Sequence, residues 1–372
     1  MPTPLPSVAR AAVLVGEKRI DVREFPIPPL KDDEMLIQVE GCGICGTDVH
    51  EYKRDPFKLI PVVLGHEGTG TLVAKGPAVR TDFTGQPLEL GDAVVTSVLI
   101  PPDCPTRKFT PARTNLSDGM GVYGLFKDSP DYHLNGYFAT HMVIRGGSTV
   151  FKVNGMSVKQ RILIEPMAVT LHALERAKTT NLLNFASHVV VQGCGPIGLM
   201  MIATLYAAGI GNVIAIDSVP MRLAAARRMG ALAAIDITGK TPDAVAEEVR
   251  HLTRGRGADF AFQCTGVPAA ASSIFKFIRR GGGACEVGFF MDNGTTPINP
   301  HEDFCKKEIT LVGSWVYTAE EYPVAIEMIR HMQRIHLPVE ELVTHTFKLA
   351  DINRAMEANI AMEGLKIMVV PN

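Results

Sequence analysis

The sequence predicts two domains of different class: a small all-β barrel or sandwich, followed by a doubly wound α/β domain built on a parallel sheet. Two textures carry that reading. Residues 11–100 are short runs rich in Val, Ile and Thr, punctuated by Gly, Pro and Asp, which is the rhythm of an all-β domain. After Ser187, strand-like runs alternate with helical ones. That alternation implies a parallel sheet with helices on both faces.

In chain order, strands are expected at Ala11–Val15, Arg19–Val22, Met35–Cys42, Gly68–Val73 and Ala93–Ser97. Residues 101–135 interrupt them with a polar stretch holding several prolines and glycines, read as a long functional loop. The second domain sets strands His188–Val191, Val213–Ile216, Ala233–Asp236, Asp259–Gln263 and Ala284–Gly288 against helices. Those helices are expected at Ile197–Ala208, Met221–Met229, Pro242–Thr253, Pro268–Arg279 and Ala319–Gln333. The last stretch, Val343 to Val370, ends in the strand-like Lys366–Val370 and reads as a return to the first domain.

A chain of 372 residues can bury two cores. Lys+Arg 37 against Asp+Glu 39 leaves a formal net charge of −2. Such a balance gives no electrostatic reason to expect nucleic acid or an anionic membrane as partner. No apolar run reaches the roughly 18 residues of a membrane span. The first twelve residues contain prolines at 2, 4 and 6 and lack the apolar core of a secretory signal, so a cytoplasmic location is expected. The 7 cysteines are scattered and read as core thiols or metal ligands, not as a disulfide framework.

The strand His188–Val191 runs into Gly193-Cys194-Gly195-Pro196-Ile197-Gly198, and a helical run follows at once. Strand, G-x-G-x-x-G and helix in that order is a dinucleotide-binding fingerprint. Gly193 allows the tight turn, Gly195 lets the backbone approach a pyrophosphate, and Gly198 lets helix and strand pack closely. The helix opening at Pro196 and Ile197 turns its positive end to the phosphates. Asp217 closes the next strand. A carboxylate there accepts from both ribose hydroxyls and repels a 2′-phosphate, which favours NAD. Arg222 is the residue type that accommodates such a phosphate, so NADP stays open as an alternative.

Nearer the N-terminus stand Gly43-Ile44-Cys45-Gly46-Thr47-Asp48-Val49-His50 and Gly65-His66-Glu67-Gly68. Thiolate, imidazole and carboxylate are the ordinary donor set for zinc. Taken singly, Cys45 reads as well as a buried thiol, and His66 as a hydrogen-bonded core histidine.

Together these motifs resemble the zinc-dependent medium-chain dehydrogenases, in the branch of sorbitol (polyol) and threonine dehydrogenases. G-H-E-x-x-G-x-x-x-x-x-G fits Gly65 to Gly76, and G-I-C-G-T-D-x-H fits Gly43 to His50. Ile164-Glu165-Pro166-Met167-Ala168-Val169 is similar to that branch's E-P-x-A segment, and the likeness runs from about Ala11 to Val370. The resemblance implies a GroES-like β-barrel catalytic domain over residues 1–166 and 305–372, and a Rossmann NAD-binding domain over 167–304. It implies one catalytic zinc per chain, on Cys45, His66 and Glu165. Glu67 would be either a direct ligand or a carboxylate that exchanges with bound water, and Asp48 would orient the His66 ring.

The implied reaction is oxidation of an alcohol, or its reverse, with zinc acting as Lewis acid. Thr47 would take the hydroxyl proton, and a relay through the cofactor ribose to His50 would lead it to solvent. The hydride would pass to the nicotinamide. Thr265 and Gly266 would lie close to the dinucleotide, and Thr170 against the nicotinamide. Polyol enzymes of this branch tend to carry an Arg-Tyr pair at the substrate. Here Tyr317 matches while Trp315 offers an apolar face, which points to a less hydroxylated or more apolar secondary alcohol.

Many family members hold a second, structural zinc on four close cysteines. Residues 101–135 offer only Cys104, and Asp103 with His133 does not complete a closed site. A homodimer or homotetramer is implied. The alternatives are an enzyme of an apolar primary alcohol or aldehyde, a zinc-free quinone or enoyl reductase, and a non-catalytic homologue. Cys45, His66 and Asp217 weigh against the zinc-free reductase, and no metal ligand or relay group is visibly lost as a non-catalytic homologue would require.

Overall fold

The computed structural model describes residues 6–100, 114–117, 121–128 and 133–372. The chain forms two compact units. One comprises Met1–Glu165, Thr318–Ile326 and Val343–Asn372; the other comprises Pro166–Tyr317 and Glu327–Leu342.

The first unit is built on antiparallel strands. Its central strand, Met35–Gly43, is bonded to Glu67–Lys75, His141–Ile144 and Lys366–Val370. Successive side chains of a strand point to opposite faces, and the sequence obeys that period. Met35, Ile37 and Val39 enter one apolar cluster with Leu72, Val94 and Val369. Leu36 enters another, with Val13, Val63 and Val143. A three-stranded sheet of Arg19–Pro26, Val8–Gly16 and Val62–Val63 completes the main framework. The segment Thr318–Ile326 joins this unit through Tyr322, whose ring stacks on Phe151 at 4.9 Å. The buried Val98 N–H donates to the Tyr322 hydroxyl at 3.2 Å.

The second unit holds six parallel strands in the order Ala233–Asp236, Val213–Asp217, Val189–Gln192, Ala258–Gln263, Ile278–Glu286, Thr310–Gly313. Chain order reverses between Val189–Gln192 and Ala258–Gln263. That is the topological switch point of a doubly wound sheet, where ligands bind at the carboxyl ends of the strands.

Three expectations need correction. The strand Thr310–Gly313 pairs in parallel with Ile278–Glu286, so the chain does not return to the first unit at 305. The stretch 327–342 also belongs to the second unit, where Arg228 pairs with Glu341 at 3.2 Å. The helix expected at Pro268–Arg279 stops at Ser273 and tightens into a 3-10 turn, Ile274–Lys276. It stops because Ile278 already pairs with Ala258 in the sheet. The helix Ile164–Lys178 was not foreseen. Of the long loop, Gly121–Val122 pairs with Leu99–Ile100, and His133 Nδ1 lies 2.7 Å from Asp128; Asp103 and Cys104 fall outside the described residues. Among the described residues, no helix is long and apolar enough to cross a membrane.

Leaving a buried N–H without its acceptor costs about 1–3 kcal/mol. Tyr322→Phe is therefore expected to lower stability by about that amount in urea denaturation. A midpoint equal to the parent's would show that the Val98 amide does not depend on this hydroxyl.

Candidate active site

The helix Gly46–Arg54 begins just after Cys45, whose backbone is extended at φ −90° and ψ 159°. Asp48, at the third helical position, reaches back and accepts the Cys45 N–H at 2.8 Å. Its other oxygen accepts the Gly65 N–H at 3.1 Å. One fully buried carboxylate thus ties the Cys45 loop to the turn that carries His66. The Nδ1 of His66 faces Asp48 at 3.6 Å, which leaves Nε2 for Cys45. Glu67 opens the next strand opposite Gly43. Donor atoms of Cys45, His66 and Glu67 all lie within 4.8 Å of one another. Ligands held about 2.0–2.3 Å from one tetrahedral zinc stand about 3–4 Å apart, so small side-chain rotations suffice for a shared ion. The Thr47 hydroxyl lies 3.7 Å from the Cys45 sulfur.

The electrostatics favour a cation here. Burial pulls His66 toward its neutral form, yet Asp48, Cys45 and Glu165 together hold its pKa well above the ordinary histidine range. Glu67 Oε1 is buried and has no hydrogen-bond partner among the described residues. Buried, unpaired donors around a point that stabilises positive charge fit a metal ion. Glu165 sits in the first turn of Ile164–Lys178, 9% exposed. Its charge acts on His66 and Lys366, but it lies outside the close group of Cys45, His66 and Glu67. Lys366 was not foreseen: it is 2% exposed and paired with Glu67. Burial pulls its pKa down, and Glu67, Cys45 and Glu165 more than reverse that. A lysine opening the otherwise apolar run Lys366–Val370 was the available signal.

In the second unit, Gly193 turns the chain at φ +89°. A side chain at Gly198 would collide with the Gly193 carbonyl, so the helix Pro196–Ala207 packs close to its strand only because that position is glycine. The helix is capped by Gly195, with Pro196 first and Ile197 second. Asp217 accepts the Cys194 N–H at 2.6 Å, Ser218 N–H at 2.8 Å and Val219 N–H at 2.9 Å. Its carboxylate therefore shapes the glycine turn from the neighbouring strand. Arg222 is half-buried, and its Nε has no hydrogen-bond partner among the described residues.

Comparison with known proteins agrees with this geometry. Residues 31–155 match the alcohol dehydrogenase GroES-like domain, and residues 196–331 match the zinc-binding dehydrogenase domain. The chain is 32% identical to sorbitol dehydrogenase of Bacillus subtilis, over 99% of both chains. The chain belongs to the zinc-dependent medium-chain dehydrogenases, in the polyol branch. An alcohol dehydrogenase from Thermotoga maritima superposes with a TM-score of 0.90 at 27% identity, covering 98% of this chain and 100% of that one. The 2R,3R-butanediol dehydrogenase of Bacillus subtilis gives 0.83 at 28% identity, covering 98% and 100%.

The remaining residues of this dehydrogenase divide clearly. Gln263, also unforeseen, brackets Thr265: its amide accepts the Thr265 N–H and donates to the Thr265 carbonyl, each at 2.7 Å. Asn293 donates to the Gly266 carbonyl at 3.2 Å. Glu286 ends a neighbouring strand, and burial pushes its pKa up to about 7. His50 lies 3.2 Å from Arg54; burial, then Arg54 and Lys53, lower its pKa. Trp315 is 42% exposed and stacks on Phe290 at 5.0 Å. Two of the expected site residues are buried. Thr170 is fully buried, and its hydroxyl is bound to the Met167 carbonyl and to Thr204, both at 2.9 Å. It joins two helices through that pair of bonds. Tyr317 is 1% exposed.

Asp48→Asn puts an NH₂ against one of two backbone donors and loosens the His66 ring. Zinc affinity is expected to fall about 10–100-fold, measured by competition with a chromogenic chelator. An unchanged competition curve would mean that Asp48 does not orient the ligand.

Proposed function

We propose that this enzyme moves a hydride between a polyol or other secondary alcohol, or its carbonyl, and NAD, with zinc held by Cys45, His66 and Glu67 and with Glu165 as a further carboxylate whose charge acts on the same point. The observation that carries the reading is the meeting of thiol, imidazole and carboxylate within 4.8 Å, at a buried point that favours a cation. The sorbitol and butanediol specificities named for the relatives support a substrate with neighbouring hydroxyls.

When bound, zinc supplies Lewis acidity that lowers the pKa of the substrate hydroxyl. Thr47, beside the Cys45 sulfur, receives that proton. His50, kept neutral by burial and by Arg54 and Lys53, takes it on toward water. The Gly193–Gly198 turn with Pro196 and Ile197, and Arg222, Thr265 and Gly266, cradle the dinucleotide. The carboxylate of Asp217 disfavours a 2′-phosphate, hence NAD over NADP. Trp315, 42% exposed with its ring stacked on Phe290, is the substrate residue in this reading, its apolar body suited to a diol or other secondary alcohol less hydroxylated than sorbitol.

The enzyme is a homodimer or homotetramer in this reading. The edge strand Thr310–Gly313 supports it, with Leu311 47% exposed, because an unpaired edge is a template for another strand. A cytoplasmic setting is supported by Cys42, Cys45, Cys194, Cys264, Cys285 and Cys305, all free thiols.

Sorbitol, xylitol, butane-2,3-diol and simple primary alcohols, each with NAD and with NADP, separate the readings by rate of cofactor reduction. Secondary alcohols with NAD are expected to lead. His66→Ala is expected to lose both zinc and turnover; full activity in that variant ends the zinc mechanism. The pH profile tests the relay. A proton acceptor must be neutral, so kcat falls as pH drops through the depressed pKa of His50. Arg54→Met removes a neighbouring charge, and the acid limb should move up by roughly half a unit. If that limb stays in place, His50 is not the acceptor.

A further inference from the structure

The parallel sheet of the second unit ends in a row of polar side chains. Gln192, Gln263 and Glu286 are register partners on three adjacent strands, so their side chains share one face at the carboxyl end. Gln192 and Gln263 are 5% and 1% exposed. The Gln192 amide donates to the Ser273 hydroxyl at 3.0 Å, and Gln263 brackets Thr265. Glu286 curls over the end of its own strand, where one of its oxygens accepts the Gly288 N–H at 2.8 Å and the Phe289 N–H at 3.2 Å. The following residue, Phe290, carries the ring on which Trp315 stacks. Two members of the row are amides and stay neutral, whereas the third is a carboxyl that can change its charge.

Place on the sheet decides what that charge can act on. A doubly wound sheet takes a dinucleotide across its switch point, one mononucleotide half on each side. Asp217, the carboxylate matched to the adenosine ribose, closes the strand on one side of Val189–Gln192. Glu286 lies on the opposite side, beyond Ala258–Gln263, which is the nicotinamide half. Among the described residues, no cation acts on Glu286. Burial pushes its carboxyl up to about 7, against the amides of Gly288, Phe289 and Val287. The titratable and charged groups around it are few. Burial raises the Cys264 and Cys285 thiols, and the Glu286 charge adds to that. Arg176 is turned to the Gly313 carbonyl at 3.1 Å, and the exposed Asp292 accepts the Gly294 N–H at 2.9 Å. A carboxyl so placed is ionised in only part of the molecules near neutral pH, and a nearby positive charge favours the ionised form.

Resting on the dinucleotide reading above, we infer that Glu286 distinguishes the oxidised cofactor from the reduced one, its carboxylate favouring the cationic nicotinamide of NAD over the neutral ring of NADH. Binding of NAD then takes a proton off Glu286, and binding of NADH does not. Affinity for NAD therefore rises as pH climbs through neutrality, while affinity for NADH stays level, so acid removes the preference.

The test measures NADH binding by fluorescence, and NAD binding by competition with it, from about pH 6 to about pH 8. The parent is compared with Glu286→Gln and with His66→Ala, which removes the metal centre as a source of protons. Across that range the parent's Kd for NAD is expected to fall about 5-fold or more, with its Kd for NADH level. Glu286→Gln keeps an oxygen for the Gly288 and Phe289 amides but carries no charge. It should hold the weaker, acid-side Kd for NAD at every pH and bind NADH as the parent does. His66→Ala should keep the parent's pH dependence for NAD, which leaves the inference testable if Glu286→Gln does not fold. Three results would overturn it: a parental Kd for NAD that ignores pH, a pH dependence that survives in Glu286→Gln, or one that disappears in His66→Ala and so belongs to the metal centre. In each case the dinucleotide reading stands, because the parent still binds both forms of the cofactor. A parent that binds neither NAD nor NADH would overturn both.

Discussion

A buried carboxylate must find donors, and Asp48 finds them in two separate loops. Its acceptance of the Cys45 and Gly65 amides is the constraint on which the candidate metal centre depends. Water cannot solvate this group at 0% exposure, so leaving either donor unpaired is costly. The cheapest arrangement holds both loops against one side chain. Cys45 and His66 then face each other because their backbones are already fixed, and the side chains need only small rotations.

The nucleotide-binding turn uses the same device. Asp217 accepts three backbone amides, one of them from the middle of the glycine turn. Both units thus place a functional loop by burying an anion beneath it and letting N–H groups converge on it. A carboxylate offers about four acceptor sites, so Asp217 can shape the turn and still receive a ribose hydroxyl. Loop placement by hydrogen bonding suits chemistry that needs fixed distances, because each bond loses strength quickly outside its optimal geometry.

The charges around His66 have a different balance. Glu67, Cys45 and Glu165 raise the pKa of Lys366 despite its burial, and Asp48, Cys45 and Glu165 raise that of His66 in the same way. These anionic neighbours make the pocket favour positive charge. A divalent ion held here by Cys45, His66 and Glu67 would take the place of a proton and so would add less new charge to a low-dielectric interior.

The sequence by itself determined what local spacing can encode. The period-two burial of Met35–Gly43, the alternation of strands and helices after Ser187, and the turn from Gly193 to Gly198 follow from residues close together in the chain. The motif pair around Cys45 and His66 was legible for the same reason, since the capping carboxylate Asp48 lies within the first motif. Only the tertiary structure decided what depends on residues far apart. Lys366 meets Glu67 because sheet pairing places their strands on either side of Gly43, and no spacing rule links positions 67 and 366. Thr170 and Tyr317 are polar residues whose burial is set by what packs over them, and the helix after Pro268 is cut short by a sheet partner at Ala258. Backbone propensity acts over a few residues, whereas burial and ion pairing act through space.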